Sequence, residues 1–208
     1  MKRFFSGVLL ALAFTARAQH PTDSLLQALT VAIGKMPDYD SAKTREIARL
    51  RAALPSATIS DPIALFNGYA RLYDAYRIFI YDSAYQYAEK LQKIAYQLGN
   101  PHLITESRLN LCFILLSSGL FRETHDSLQV TDIRREPDSL KALYYTLMGR
   151  YYYDLANYDF DNHSAAYDIS GNHYMDSALA FYPAGSWPAP SPTMNWPSPP
   201  PPSAVSTP

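Results

Sequence analysis

The sequence predicts an all-α protein built from tandem antiparallel helical hairpins, followed by a disordered, proline-rich tail. Two observations predict the hairpins. Apolar residues recur every three or four positions from about residue 23 to about residue 182, and turn-forming residues divide this region into segments of helical length. Composition predicts the tail, because ten of the 16 prolines lie in residues 183–208 and this segment has no Asp, Glu, Lys or Arg.

Composition and charge argue against several classes of function. The formal net charge is -1, so nothing predicts a basic surface that would attract nucleic acid or an anionic membrane. The one cysteine, Cys112, cannot form an internal disulfide or a cysteine-rich zinc site. Because Cys112 lies in the apolar run 109–116, we interpret it as a small buried hydrophobic residue and expect packing alone to hold the fold.

The N-terminus predicts export. Lys2 and Arg3 precede the short apolar stretch Phe4–Phe14, and Ala16-Arg17-Ala18 has the small-x-small pattern of a signal-peptide cleavage site. The apolar stretch is too short to span a bilayer comfortably, and no later segment is apolar for long enough. We therefore expect a signal peptide over residues 1–18, cleavage after Ala18 and a periplasmic mature chain without a lipid anchor. A buried N-terminal helix is the alternative.

The first two predicted helices form an N-terminal hairpin over residues 19–60. Apolar residues at helical spacing occur before Pro37 and again between Pro37 and Pro55, and the two prolines are predicted breaks. The spaced residues are Leu25, Leu26, Leu29 and Ile33 in the first stretch and Ile47, Leu50 and Leu54 in the second.

Further breaks are predicted at Asp61-Pro62, Gly99-Asn100-Pro101, Gly119 and Pro137. The dipeptide Asp-Ser followed by Ala or Leu also recurs, and we interpret it as a repeated helix start. Asp and Ser side chains accept hydrogen bonds from the unpaired amides of a first helical turn, and Asp complements the helix dipole. The six copies begin at Asp23, Asp40, Asp82, Asp126, Asp138 and Asp176.

Residues 61–182 are predicted to form about three hairpins of the tetratricopeptide repeat (TPR) type, which has a repeat of about 34 residues. Segment 81–91 has the pattern of a second TPR helix, with Ala84 and Ala88 where neighbouring helices approach closely. In the next unit Gly119 makes the turn, and segment 147–158 gives the third unit the best match to the repeat pattern. A single hairpin cannot bury its own apolar face, which favours stacked copies.

The second helix of the third unit is predicted over residues 174–182, after an extra loop of roughly residues 159–172. A generic helical bundle is the alternative architecture. The 17 tyrosines are interpreted mainly as packing residues whose hydroxyl groups reach the surface. A ligand-binding stripe of aromatic residues is the alternative interpretation.

No signature of an enzyme is found. The sequence lacks a Gly-x-Ser-x-Gly motif, a P-loop, a dinucleotide-binding fingerprint and a His-Glu-x-x-His motif, so we expect no catalysis and no cofactor. Segment 159–163 clusters oxygen ligands as a calcium loop does. Its sixth and twelfth positions are Ser164 and Ser170 instead of the required glycine and acid, so a polar insertion without a metal is the preferred interpretation.

If the array binds a peptide, the first helix of each hairpin is expected to form the concave binding face. The lysine-and-asparagine clamp with which some TPR domains hold a C-terminal carboxylate is not assembled, which disfavours that form of peptide binding. The candidate residues on the concave face, chosen by repeat geometry, are Asn67, Asp74, Arg77, Asn110, Arg150 and Tyr153.

The proline-rich tail over residues 183–208 has two interpretations. It is either a linker or docking peptide in polyproline II conformation, or the product of a reading frame lost near Gly185. We favour the second, because the third hairpin has only just closed and a solenoid normally needs a polar capping helix after its last repeat.

These segments resemble the N-terminal part of an uncharacterised family of Bacteroidetes regulators. The resemblance rests on Asp23-Ser24-Leu25-Leu26, Tyr81-Asp82-Ser83-Ala84 and the segment 176–186, and covers roughly residues 1–186. Members have a signal peptide, TPR hairpins, a transmembrane helix, a coiled coil and a cytoplasmic C-terminal domain of unknown function. The resemblance implies that this chain is the sensor half of such a regulator, truncated before the membrane helix and the output domain.

The predicted function is that of an exported, non-catalytic TPR-like module for protein interaction or sensing, the extracytoplasmic half of a signalling regulator. A protein or peptide partner is expected, without nucleic acid. The alternative is a periplasmic protein that binds glycans or peptides through a tyrosine-rich concave face.

Overall fold

The computed structural model describes residues 21–54, 61–159 and 163–182. The predicted signal peptide over residues 1–18 and the predicted tail over residues 183–208 lie outside these ranges. Within them all regular secondary structure is helical and no strand occurs, as the predicted fold class requires. The helices are α1 Pro21–Gly34, α2 Met36–Ala53, α3 Pro62–Tyr76, α4 Tyr81–Leu98, α5 Pro101–Ser117, α6 Phe121–Gln129, α7 Asp138–Tyr158 and α8 Ser164–Leu179.

Backbone contacts divide the chain into two units, residues 1–46 and residues 47–208. In the first unit only Lys35 separates α1 from α2. The Lys35 amide donates to the carbonyl oxygens of Val31 and Ala32, and its own carbonyl oxygen accepts from Asp38 and Tyr39, so helical hydrogen bonding continues across the junction.

The chain reversal predicted at Pro37 for a hairpin over residues 19–60 is therefore not found there. Pro37 is the second residue of α2, where a missing amide hydrogen removes no intrahelical bond. Residues 55–60, which include the predicted break at Pro55, lie outside the described ranges.

The second unit contains three helical hairpins, α3–α4, α5–α6 and α7–α8. Each second helix packs on its own first helix, α4 and α6 also pack on the first helix that follows them, and the first helices α5 and α7 pack on one another. This alternation is the stacking of a TPR-type solenoid and confirms the predicted architecture of helical hairpins.

Local sequence explains where these helices begin and end. The Asp61 carboxylate accepts from the amides of Ile63 and Ala64 at the start of α3. Gly99 ends α4 in the left-handed region with φ 60°, and the Asn100 side chain caps the start of α5. Gly119, with φ 74°, provides the turn between α5 and α6. The predicted breaks at these positions are confirmed.

The core of the second unit lies between the helices of the stacked hairpins. Ala84 and Ala88 on α4 are fully buried, which confirms that small residues stand where the helices approach closely. Cys112 is also fully buried, and burial raises the pKa of its thiol, in agreement with the interpretation as a packing residue. Large buried side chains complete the core, among them Phe66, Leu72, Tyr73, Leu91, Leu109, Ile114, Leu128, Leu147 and Met148.

Two predictions of local structure are wrong. The second helix of the third hairpin is α8, Ser164–Leu179, so most of the loop expected over residues 159–172 is helical. The Asp-Ser dipeptides do not all start helices, because Asp126 lies inside α6 and Asp176 lies near the end of α8. Both aspartates are exposed, and an exposed helix face tolerates such residues.

Candidate binding site on the first helices of the hairpins

The six predicted binding residues all lie on or directly after the first helices of the hairpins. Asn67 and Asp74 lie on α3, Arg77 follows its last residue, Asn110 lies on α5, and Arg150 and Tyr153 lie on α7. These are the three helices that the repeat geometry assigns to one face. The structure brings some of the six residues together and separates others.

Arg77 and Arg150 converge on one aromatic ring. The guanidinium carbon of Arg77 lies 5.2 Å from the ring centroid of Phe113, and that of Arg150 lies 5.0 Å from the same centroid. Both distances are within the range of cation–π attraction. The first and third hairpins thus meet on a side chain of the second hairpin.

Each guanidinium is oriented by a carboxylate on its own chain segment. Arg77 Nε lies 3.3 Å from Asp74 Oδ1, and Arg150 Nε lies 3.3 Å from Asp154 Oδ2. Arg150 also donates from Nη2 to Ser117 Oγ at 3.1 Å. Because the carboxylates engage the Nε side of each group, the terminal nitrogens keep most of the five N–H donors of a guanidinium for a ligand. We call Arg77, Phe113 and Arg150, with their three partners, the arginine site.

A further carboxyl group, that of Glu106, lies near Asp74. Burial raises the pKa of Glu106 on α5, and the negative charge of Asp74 raises it further. Burial likewise raises the pKa of Asp154, although Arg150 opposes this shift. The site therefore combines two permanent cations with carboxyl groups that hold their protons more firmly than exposed ones.

Asn110 connects the site to the core through its backbone. Its carbonyl oxygen accepts a 2.8 Å hydrogen bond from the buried hydroxyl of Tyr73 on α3. This bond joins the first and second hairpins one turn from Phe113, because Asn110 and Phe113 are three residues apart on α5.

Tyr153 and Asn67 are not part of the arginine site. The Tyr153 hydroxyl donates to Asn172 Oδ1 at 2.7 Å, so this side chain joins α7 to α8. Asn67 is exposed on α3, about two turns before Asp74. The sequence does not single out Phe113, because this residue lies in an apolar run whose members are expected to face the core.

Four tyrosines of the third hairpin pack against each other between α7 and α8, namely Tyr145, Tyr152, Tyr167 and Tyr174. Tyr174 stacks on Tyr152 at 5.5 Å between centroids and lies 6.4 Å from Tyr145, which in turn stacks on Phe181 at 5.6 Å. All four rings are half-buried. These aromatic contacts hold α8, and the residues directly after it, against α7.

Within the described ranges, no group of three or more His, Cys, Asp or Glu residues could hold a metal ion. Residues 160–162 of the predicted polar insertion lie outside these ranges. No helix of the described residues has the length and apolar character needed to cross a membrane.

A family model described as the SusR N-terminal TPR domain matches residues 33–189. No curated protein and no solved structure matches the chain. The matched region contains α2 to α8, and with them every residue of the arginine site.

Proposed function

Since the chain belongs to the family of SusR N-terminal TPR domains, we propose that it is the protein-interaction and sensor module of an exported signalling regulator. TPR domains are generally non-catalytic modules for protein interaction. In this proposal the chain forms the extracytoplasmic half of the regulator and binds a protein or peptide partner on the first helices of its hairpins.

The arginine site is the reason for placing the partner on the first helices. Arg77 and Arg150, from the first and third hairpins, meet on Phe113 of the second. A partner that binds there contacts all three hairpins at once. Binding would therefore favour one arrangement of the hairpins relative to one another. A sensor needs a conformation that depends on whether its partner is bound, because this dependence transmits the signal.

Support for export comes from the sequence alone. Lys2, Arg3, the apolar stretch 4–14 and Ala16-Arg17-Ala18 have the order of a secretory signal. N-terminal sequencing of the protein recovered from a periplasmic extract tests this part of the proposal. A mature chain that begins at Gln19 supports export, whereas an intact Met1 in the cytoplasmic fraction contradicts it.

Photo-crosslinking tests the binding surface. A photoreactive phenylalanine analogue at Asn110, on α5, is expected to form an adduct with the partner in intact cells that express the full chain. The matched control carries the same analogue at Glu123, an exposed residue of the second helix α6. Adducts of equal yield at both positions, or at Glu123 only, would contradict the proposed surface.

A second candidate function, binding of glycans or peptides by tyrosines, has one observation in its favour. Tyr145, Tyr152 and Tyr174 form a ladder of half-buried rings, and partly exposed aromatic faces can stack on a ligand. Titration with neutral oligosaccharides, followed by tyrosine fluorescence, separates the two functions. A saturable change that is lost in Tyr152→Leu but kept in a double Arg77→Ala, Arg150→Ala variant would favour this second function.

A further inference from the structure

We infer that the arginine site binds the carboxylate of an aspartate or glutamate side chain presented by a polypeptide partner. This inference rests on the proposed function, since it names the chemistry of the partner group that the proposed surface accepts. It concerns an acidic side chain and differs from the lysine-and-asparagine clamp for a chain terminus.

The donors of the site have the geometry that a carboxylate needs. A guanidinium presents its N–H groups as a rigid planar fork, which matches the two oxygens of a carboxylate. In Arg77 the Nε edge faces Asp74, with Nε 3.3 Å from Oδ1, and the guanidinium carbon lies 5.2 Å from the centroid of the Phe113 ring. Arg150 donates from Nη2 to Ser117, and its Nε contacts Asp154. Further N–H donors remain at its terminal nitrogens.

Stacking on Phe113 fixes both guanidinium groups before a ligand arrives. Phe113 is only 7% exposed, so its ring is held by the core and provides a rigid support. Groups that are already ordered lose less conformational entropy on binding, which strengthens the interaction with a ligand of the right shape. The carboxylates of Asp74 and Asp154 add to this order.

The local charge disfavours a ligand with two negative charges. Asp74 and Asp154 already offset the two arginines, and Glu106 stands near Asp74. A phosphate dianion would bring twice the charge of a carboxylate against these groups, so its binding is expected to be weaker.

The site is less suited to a sugar acid than to a peptide. Sugar rings bind proteins largely by stacking on exposed aromatic faces, and here the Phe113 ring is buried and lies beside two guanidinium groups. A short acidic side chain needs only the outward edges of the guanidinium groups. A peptide partner also agrees with the TPR family of the chain.

Binding of short peptides tests the inference directly. The probes are acetyl-Gly-Glu-Gly-Glu-Gly-amide and the same peptide with Gln for Glu, and the readout is the side-chain ¹⁵N signals of the arginines in the full chain. The Glu peptide is expected to shift the signals of Arg77 and Arg150 saturably and to bind at least about tenfold more tightly than the Gln peptide.

Variants and competing probes complete the test. Arg77→Lys with Arg150→Lys keeps the charges but removes the forks, so the preference for Glu should fall. The control Arg122→Ala removes an arginine that is 90% exposed on α6 and is paired with Asp126, and it should change nothing. Equal affinity for the Glu and Gln peptides, or tighter binding of inorganic phosphate or digalacturonate, would overturn the inference.

Failure of the inference can be distinguished from failure of the proposed function. A partner adduct at Asn110 together with equal affinity for the Glu and Gln peptides would support the proposed function. The same result would contradict the inference that the site binds a carboxylate. Selective binding of the Glu peptide without any adduct at Asn110 supports the carboxylate chemistry but counts against a protein partner on this surface.

Discussion

The ring of Tyr153 on α7 occupies the space that a side chain at position 171 of α8 would need. A Cβ atom on Gly171 would stand 2.7 Å from Tyr153 Cε1, closer than real Cβ contacts. The hydrogen bond from the Tyr153 hydroxyl to Asn172, the residue after Gly171, holds the ring in place between α7 and α8. The absence of a side chain at Gly171 thus lets α7 and α8 approach closely, and α8 continues through this glycine.

We expect Gly171→Ala to destabilise the protein by about 1–3 kcal/mol, because the added methyl group must displace the Tyr153 ring or separate the two helices. Urea denaturation followed by circular dichroism measures the change in the free energy of unfolding. The control is Gly34→Ala, because a Cβ atom at Gly34 meets nothing within 4 Å. A loss in both variants of the same size would show that the close approach at Gly171 is not the cause.

Glu136 ties the connection between α6 and α7 to the start of α5. Its side chain is buried, with Oε1 accepting from Thr105 Oγ1 at 2.9 Å and Oε2 lying 2.6 Å from His102 Nδ1. Glu136→Ala leaves the buried Thr105 hydroxyl without this partner, and a loss of about 1–3 kcal/mol is expected.

The free energy of unfolding of Glu136→Ala is compared with that of Glu123→Ala, which removes an exposed glutamate of α6 and should change it by no more than about 0.5 kcal/mol. If the two variants are equally stable, the network around Glu136 contributes nothing. Glu136→Gln should lose less than Glu136→Ala, because the amide can still accept from Thr105.

Helix ends were predictable from the sequence because they depend on neighbouring residues. The Asn100 side chain accepts hydrogen bonds from the amides two and three positions later. Gly99 adopts a φ of 60°, which glycine allows without a contribution from distant residues. The small residues Ala84 and Ala88 were predictable for a related reason, since the repeat pattern fixes where helices approach. The same periodicity predicts Asp74, Arg77, Asn110 and Arg150 on one face, and their role in binding stays a prediction.

Features that depend on distant residues could not be predicted. Phe113 belongs to an apolar run, and nothing in that run indicates that arginines 36 and 37 positions away would stack on its ring. Glycine by itself disfavours a helix, and the close packing of Gly171 against the Tyr153 ring depends on the meeting of two helices. The place of Tyr153 in the repeat predicts that it lies on the binding face, but its hydroxyl donates to Asn172 on α8.

The buried hydroxyl of Tyr73 predicts a loss of stability in alkaline solution. Burial raises its pKa well above the usual value of 10, whereas in the unfolded chain it titrates near 10. The folded state therefore keeps this proton longer. Its contribution to stability is complete below pH 10 and is lost as the pH rises above 10.

Tyr73→Phe is expected to lose about 0.5–1.5 kcal/mol at neutral pH, because the hydrogen bond to the Asn110 carbonyl oxygen is removed. Above pH 10 the difference from the natural protein should shrink, since the variant lacks the buried group that must ionise. Urea unfolding between pH 7 and pH 11 measures both effects. Tyr158→Phe, at a residue that is 80% exposed, should leave the alkaline decline unchanged, and a parallel decline in Tyr73→Phe would contradict the prediction.

Glu106 is expected to make the fold less stable at neutral pH. Its pKa is raised by burial and then by Asp74, so the folded state holds the proton more firmly than the unfolded chain does. Below the unfolded value of about 4.5 both states are protonated, and no cost arises. As the pH rises above this value the unfolded chain ionises first, and the free energy of unfolding falls.

Glu106→Gln removes this cost, because the amide has nearly the shape of the protonated acid and carries no charge. The variant should be more stable than the natural protein at pH 7, and the gain should disappear below about pH 4. Thermal unfolding at both pH values measures it, with Glu89→Gln, at an exposed residue of α4, as the control. A variant that is less stable than the natural protein at pH 7 would show that the Glu106 carboxylate stabilises the fold instead.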